Sequence, residues 1–205
     1  MNANNANNNG HNPNGHGQPI LVAGGGIGGL AAGYALASKG FAVRILEQAP
    51  EFREIGAGIQ LGPNIFRALD RIGLKDAVLA DAHRPPAMEM RCALSGEQVI
   101  RIPLADERFA QRFQYPYAVT HRADIHDALL RACQNNNLIT LETHRTVDSY
   151  EEHDNGVTVV LASGERIEGR ALIGCDGMWS KIRERIVGDG KPRVSGHIEI
   201  GRAHV

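Results

Sequence analysis

The segment LVAGGGIGGLAAGYALASKGFAVRILEQ, Leu21–Gln48, sets five glycines into the six positions Gly24–Gly29 and then turns apolar. A chain forgoes side chains at that density where its backbone must turn sharply or lie very close to another group. Upstream, QPILVA (Gln18–Ala23) reads as a short buried strand, with its proline tolerated at the start. Downstream, the pattern predicts a helix from about Gly28 to Lys39, stopped by Gly40, and then a strand, FAVRILE, ending at Glu47.

Gly24, Gly26 and Gly29 fit G-x-G-x-x-G between strand and helix, with Gly28 beside them at the helix start. In such a turn the first glycine permits the tight bend and the second lets the backbone approach a pyrophosphate. The third lets helix and strand pack closely, and the anion rests on the positive end of the helix. Glu47 follows Gly24 by 23 residues, where a carboxylate can accept hydrogen bonds from both ribose hydroxyls and repel a 2′-phosphate. Glu47 alone would read as a surface carboxylate at a strand end. Strand, turn, helix, strand and acid together specify an adenine dinucleotide, without saying which one.

The rest of the chain sets limits. Its 205 residues, 42% hydrophobic with a formal net charge of -1, suffice for one sizeable core or a large domain plus part of a second. There is no lysine/arginine run to suggest nucleic acid or an anionic membrane, and no apolar stretch of membrane-spanning length. Cys92, Cys133 and Cys175 are odd in number and widely spaced, which argues against a disulfide framework or a metal site and fits a reducing, cytoplasmic setting. Residues 1–18 hold eight asparagines and no apolar run, so they are expected to be a disordered tail with His11 and His16 solvated. At the other end, VSGHIEIGRAHV breaks off as a strand begins, and IGRAHV is what one frame of a common sequencing adapter encodes. The expectation is a truncated gene fragment whose natural chain continued past about Ile198, with 199–205 non-native.

After Gln48 the chain departs from a simple nicotinamide dehydrogenase, in which further parallel strands and crossover helices would follow at once. A glycine-bearing loop, GAGIQLGPN (Gly56–Asn64), precedes a helix over about Pro63–Ile72, and two short strands follow near Ala87–Cys92 and Gln98–Ile102. In PYAVTHRADIHDALLRACQ the positions Ile125, Ala128, Leu129 and Ala132 have helical spacing, with Arg122 at the helix start. A meander of strands with turns at Asp154–Gly156 and Ser163–Gly164 then leads to a strand, Ala171–Cys175, which delivers Asp176 and Gly177 to a new turn before a closing helix.

This order, together with GGGIGGLAAGYALASKGFAVRILEQ, GAGIQLGPN, HRADIHDALL and IGCDGMWSKIR, resembles the FAD-dependent aromatic hydroxylases of the para-hydroxybenzoate hydroxylase type. The run PEFREIGAGIQLGPNIFRALDRIGL with PYAVTHRADIHDALL is most similar to 3-hydroxybenzoate 6-hydroxylases and salicylate-hydroxylase-like enzymes. The resemblance implies an α/β class, a Rossmann-like FAD-binding (GR2-type) three-layer fold with a β-meander. The FAD-binding domain would cover 19–190, including strands 87–102 that could join a substrate sheet, and a substrate domain would start at 191–198 and be largely absent. FAD would lie on Gly24, Gly26, Gly28 and Gly29, with Glu47 and Gln48 at the adenosine and Arg122 facing the pyrophosphate. The GAGIQLGPN loop would pass near the flavin ring. Asp176 and Gly177, backed by Ser180 and Arg183, would touch FAD and help a nicotinamide donor dock.

The implied reaction hydroxylates a phenolic acid with NADH or NADPH and O2, with 3-hydroxybenzoate to gentisate expected ahead of salicylate. The partners expected are a small aromatic substrate and, for the full-length chain, a second copy in a homodimer. Arg122 also reads as a solvated first-turn residue, Asp176–Gly177 as a helix-capping pair, Arg53 as a surface charge and Gly188–Asp189 as a loop. His121, His126, His144 and His153 read as solvated surface residues, so no catalytic residue and no metal ligand is assigned. Two other readings stay open, a nicotinamide-only oxidoreductase and a non-catalytic, incomplete FAD-binding half.

Overall fold

The computed structural model describes residues 17–54, 56, 58–191 and 193–196. Most of the polar tail, the expected non-native end and the strand expected near 198 lie outside these residues. Along the chain the elements are β1 (Ile20–Ala23), α1 (Ile27–Ala37), β2 (Val43–Leu46), β3 (Gly58–Leu61), α2 (Pro63–Arg71) and α3 (Lys75–Ala80). They continue as β4 (Ala87–Arg91), β5 (Gln98–Pro103), α4 (Glu107–Phe113), β6 (Ala118–His121), α5 (Arg122–Gln134) and β7 (Ile139–Glu142). The last are β8 (Val147–His153), β9 (Gly156–Leu161), β10 (Arg166–Gly169), β11 (Ala171–Gly174) and α6 (Lys181–Val187).

Three layers form because the central strands are apolar on both faces, as strands of a covered parallel sheet must be. The parallel sheet has the order β11-β1-β2-β7. Val22, Val43 and Ile45 point to one side and pack with Leu30, Phe66, Ile125, Leu129 and Cys133 beneath the helices. Leu21, Ala23 and Leu46 point to the other and pack with Val157, Val159, Leu161 and Ile167 of the antiparallel meander β10-β9-β8. The alternation of neighbours such as Leu21, Val22 and Ala23 is the period of two that a strand imposes. The fold is the Rossmann-like, three-layer α/β arrangement expected for the segment.

Two antiparallel pairs stand apart, β3 with β6 and β4 with β5. The pairing of Gly58 with His121 ties the glycine-bearing loop to the start of α5. α3, α4, β3 and β6 were not foreseen, being too short to show a period. Asp106 starts α4 by accepting from the Phe109 N–H at 2.7 Å, a side-chain cap of a familiar kind. The α5 stripe differs from the expected one at two of its four positions. Ile125, His126, Leu129 and Cys133 are buried, while Ala128 and Ala132 are half-buried. Among the described residues no helix is long and apolar enough to cross a membrane.

Candidate functional site

Ala23, Leu46, Glu142 and Gly174 are in register across the four parallel strands. The carboxyl ends of the sheet therefore form one edge, where open α/β sheets bind ligands. A cleft of about 210 Å³ opens there, lined in part by Gly24, Gly26, Glu47, Gln48, Arg145 and Asp176.

The glycines of the turn fall into two groups. A Cβ at Gly24, whose φ is +102°, would overlap the Cys175 carbonyl, and one at Gly29 would overlap the Gly24 carbonyl. A Cβ at Gly25 would run into the Phe52 ring and come within 2.9 Å of Glu47 Oε2. Those three are glycine because the protein packs against itself. At Gly26 and Gly28 a Cβ would meet nothing within 4 Å. Packing among the described residues does not account for these two. Gly26 lines the cleft, where its bare backbone fits an extended phosphate ligand, while Gly28 is exposed at the start of α1 and is not part of the lining. α1 begins at this point with no side-chain cap and no acidic residue in its first turn. Its positive end is left to whatever occupies the cleft.

Glu47 sits at the end of β2 with both carboxylate oxygens engaged. Oε2 accepts from the Gly25 N–H at 2.6 Å and Oε1 from the Ala49 N–H at 2.8 Å. Each oxygen keeps a second lone pair, so ribose hydroxyls could still be accepted. Asp176 lines the cleft and also caps α6. It accepts from Ser180 Oγ at 2.5 Å and from the N–H groups of Lys181 (2.9 Å) and Ile182 (3.3 Å). Gly177 beside it has φ +79°, the left-handed region natural to glycine. The two readings of this pair, cap and cleft wall, coexist.

Arg122 begins α5, and its Nη2 lies 2.8 Å from Glu54 Oε1 with about half of the side chain exposed. It packs against Gly56, where an added Cβ would lie 2.9 Å from Arg122 Cδ. It is not among the residues lining the cleft. Arg53 is a surface charge beside Glu51. Parts of the GAGIQLGPN loop, Ile55 before it and Ala57 within it, lie outside the described residues.

One cleft residue, Arg145, carries no signal in the sequence, and the surface reading of His126 is overturned. Arg145 lines the cleft and donates from its backbone N–H to the Glu47 carbonyl at 2.8 Å, while its side chain reaches Glu142 at 3.0 Å and also Glu165. Nothing in the local sequence marks it, because its place depends on β7 adding beside β2. The second is a correction. His126 is not a surface residue but is 1% exposed, with Nε2 3.0 Å from the Gly25 carbonyl oxygen. Its position three before Leu129 and seven before Cys133 puts it on the buried stripe, a signal that was present. His121, His144 and His153 are exposed as expected. Among the described residues no cluster of His, Cys, Asp or Glu could hold a metal ion.

Residues 18–200 match the FAD binding domain family, and the chain belongs to it. It is 48% identical over 180 residues to the 3-hydroxybenzoate 6-hydroxylase of Polaromonas naphthalenivorans (strain CJ2), covering 88% of this chain and 44% of that protein. It is 43% identical over 178 residues to 3-hydroxybenzoate 6-hydroxylase 1 of Aquipseudomonas alcaligenes, covering 87% and 45%. Among solved structures, the tetrameric form of 2-methyl-3-hydroxypyridine-5-carboxylic acid oxygenase superposes with a TM-score of 0.71 at 30% identity, over 83% of this chain and 42% of that one. The chain thus spans somewhat under half the length of the relatives it matches.

Proposed function

We propose that this chain is the FAD-binding part of a flavin-dependent monooxygenase that hydroxylates a phenolic acid with NADH or NADPH and O2, converting 3-hydroxybenzoate to gentisate. The observation that carries the reading is Gly26, bare in the cleft lining where no described residue would oppose a side chain, with Gly28 equally bare beside it. The FAD binding domain family and the 48% identity to a 3-hydroxybenzoate 6-hydroxylase support the chemistry and the substrate class.

In this reading Gly24, Gly26, Gly28 and Gly29 cradle the pyrophosphate, and Glu47 with Gln48 holds the adenosine. Asp176 and Gly177 form the opposite wall, and Arg122, paired with Glu54 outside the cleft lining, is the cation assigned to the phosphates from the start of α5. FAD, when bound, supplies the redox and oxygen chemistry, while the protein orients the ring, excludes water and favours the ionised phenol. The complete protein works as a homodimer in the cytoplasm, where Cys92, Cys133 and Cys175 stay free thiols, as they are here. Strands β4 and β5 join a further sheet on the substrate side.

In the complete protein, Gly26→Ala is expected to weaken FAD binding about 10-fold or more, while the melting temperature of the apoprotein stays within about 2 °C of wild type. Glu47→Ala should lower the flavin content of the purified protein, and an unchanged content would show the ribose assignment to be mistaken. NADH and NADPH oxidation with each phenolic acid tests the substrate. Acceleration and gentisate formation with 3-hydroxybenzoate are expected, whereas tight coupling with salicylate alone would replace that assignment.

A further inference from the structure

We propose that His126 is a positioning residue for the glycine turn, holding the Gly25 carbonyl so that the Gly26 N–H faces the cleft. The proposal rests on the reading that this cleft holds the FAD pyrophosphate. Gly25 is buried and held on three sides by residues distant in sequence. Its N–H donates to Glu47 Oε2 at 2.6 Å, the Phe52 ring covers its α-carbon, and its carbonyl oxygen lies 3.0 Å from His126 Nε2. A carbonyl oxygen can only accept, so Nε2 carries the proton of this bond.

The Gly25 C=O and the Gly26 N–H belong to one planar peptide group, and no cis peptide occurs among the described residues. In a trans peptide the two groups point in opposite directions. Anchoring the carbonyl inward on α5 therefore turns the Gly26 N–H outward, and Gly26 lines the cleft. A second link keeps α5 in step with α1, since Cys133 Sγ donates to the Leu30 carbonyl at 3.4 Å.

The choice of residue supports a task beyond packing. His126 Nδ1 is buried with no hydrogen-bond partner among the described residues, which is unfavourable in a core. A leucine would fill the space between α1 and α5 without that cost, so the bond to Gly25 is what accounts for the imidazole. Without it the buried carbonyl loses its partner and the peptide is free to rotate.

The test uses the complete protein, with FAD affinity read by flavin fluorescence and apoprotein stability read by thermal melting. His126→Leu should weaken FAD binding about 10- to 100-fold. His126→Gln, whose amide N–H can reach the same carbonyl, should stay within about 3-fold of wild type, though both variants melt at similar temperatures. Leucine binding as tightly as wild type, or the two variants losing affinity in proportion to their melting temperatures, would overturn the positioning role alone. Wild type that binds no FAD would overturn the FAD reading and the proposal with it. In the unsubstituted protein, ¹⁵N spectra of the ring should show His126 protonated at Nε2. A ring protonated only at Nδ1 would refute the bond outright.

Discussion

The turn after β1 and the β4–β5 ribbon are both short stretches of backbone, yet they are held in opposite ways. Around Gly24, Gly25 and Gly29 the neighbours are supplied from within. β1 is buried along its whole length, Gly25 is clamped from β2, α5 and Phe52, and β11 closes on Gly24. The ribbon is held by its own backbone pairing and by surface ion pairs of Glu89 with Arg91 and Arg101. β4 and β5 pair with each other through Met88–Ile102 and Met90–Ile100, while Met90, Val99, Ile100 and Ile102 stay largely exposed. A lone two-stranded ribbon is marginally stable, and a cluster of exposed apolar side chains marks a surface that becomes covered. The turn is thus packed on several sides by described residues of this segment, whereas the ribbon leaves apolar side chains bare.

The contrast is sharpest at Gly29. Gly29→Ala forces a Cβ onto the Gly24 carbonyl and is expected to destabilise the complete protein by about 3 kcal/mol, read as a lower urea midpoint. A change under about 1 kcal/mol would show that the turn yields more than its packing suggests.

The edge of the parallel sheet should respond less and depend on pH. Burial acts to raise the Glu142 carboxyl, but hydrogen bonds and charge from Arg44 and Arg145 outweigh it and hold the group below its ordinary value. Its contribution is then full above the unfolded carboxylate value of roughly 4.3 and is lost as the pH falls through the lower folded value. Glu142→Gln should cost about 2 kcal/mol near neutrality, and the gap to wild type should close in acid. A gap that widens in acid would contradict the sign.

The ribbon should give the smallest response. If a further sheet covers the ribbon in the complete protein, as proposed, Ile100→Thr there is expected to cost about 1 kcal/mol. A cost near zero would mean that the ribbon stays bare and that the contrast is a permanent feature of the molecule.

Much of the turn was legible from residue types alone. Five close glycines, flanking strands and an acid at the end of the second strand fix local geometry, and the parallel pairing of β1 with β2 follows from it. The helical stripe of α5 was legible at Ile125 and Leu129, while His126 and Cys133 take the fully buried places expected of Ala128 and Ala132. His126 is the consequential difference, because histidine is fully buried less often than apolar residues are. Its partner, the Gly25 carbonyl, lies 101 positions earlier in the chain. Arg145 was hidden for the same reason, since its place in the cleft comes from β7 lying beside β2. Local chemistry shows in sequence order, and contacts made by distant strands do not.

β1 pairs on one side with β2 and on the other with β11, whose first residue, Ala171, stands opposite Ile20. A ribosome making this chain therefore releases the first strand some 150 residues before its second neighbour exists. Until then one edge of that strand is open, and the carbonyl that seals Gly24 has not been synthesised. Non-local closure of this kind is slow, and nascent chains with open edges are prone to aggregate. Closure of the turn at Gly24 must wait until the segment through about Cys175 has emerged, so the glycine turn reaches its packed form well after its own residues are made.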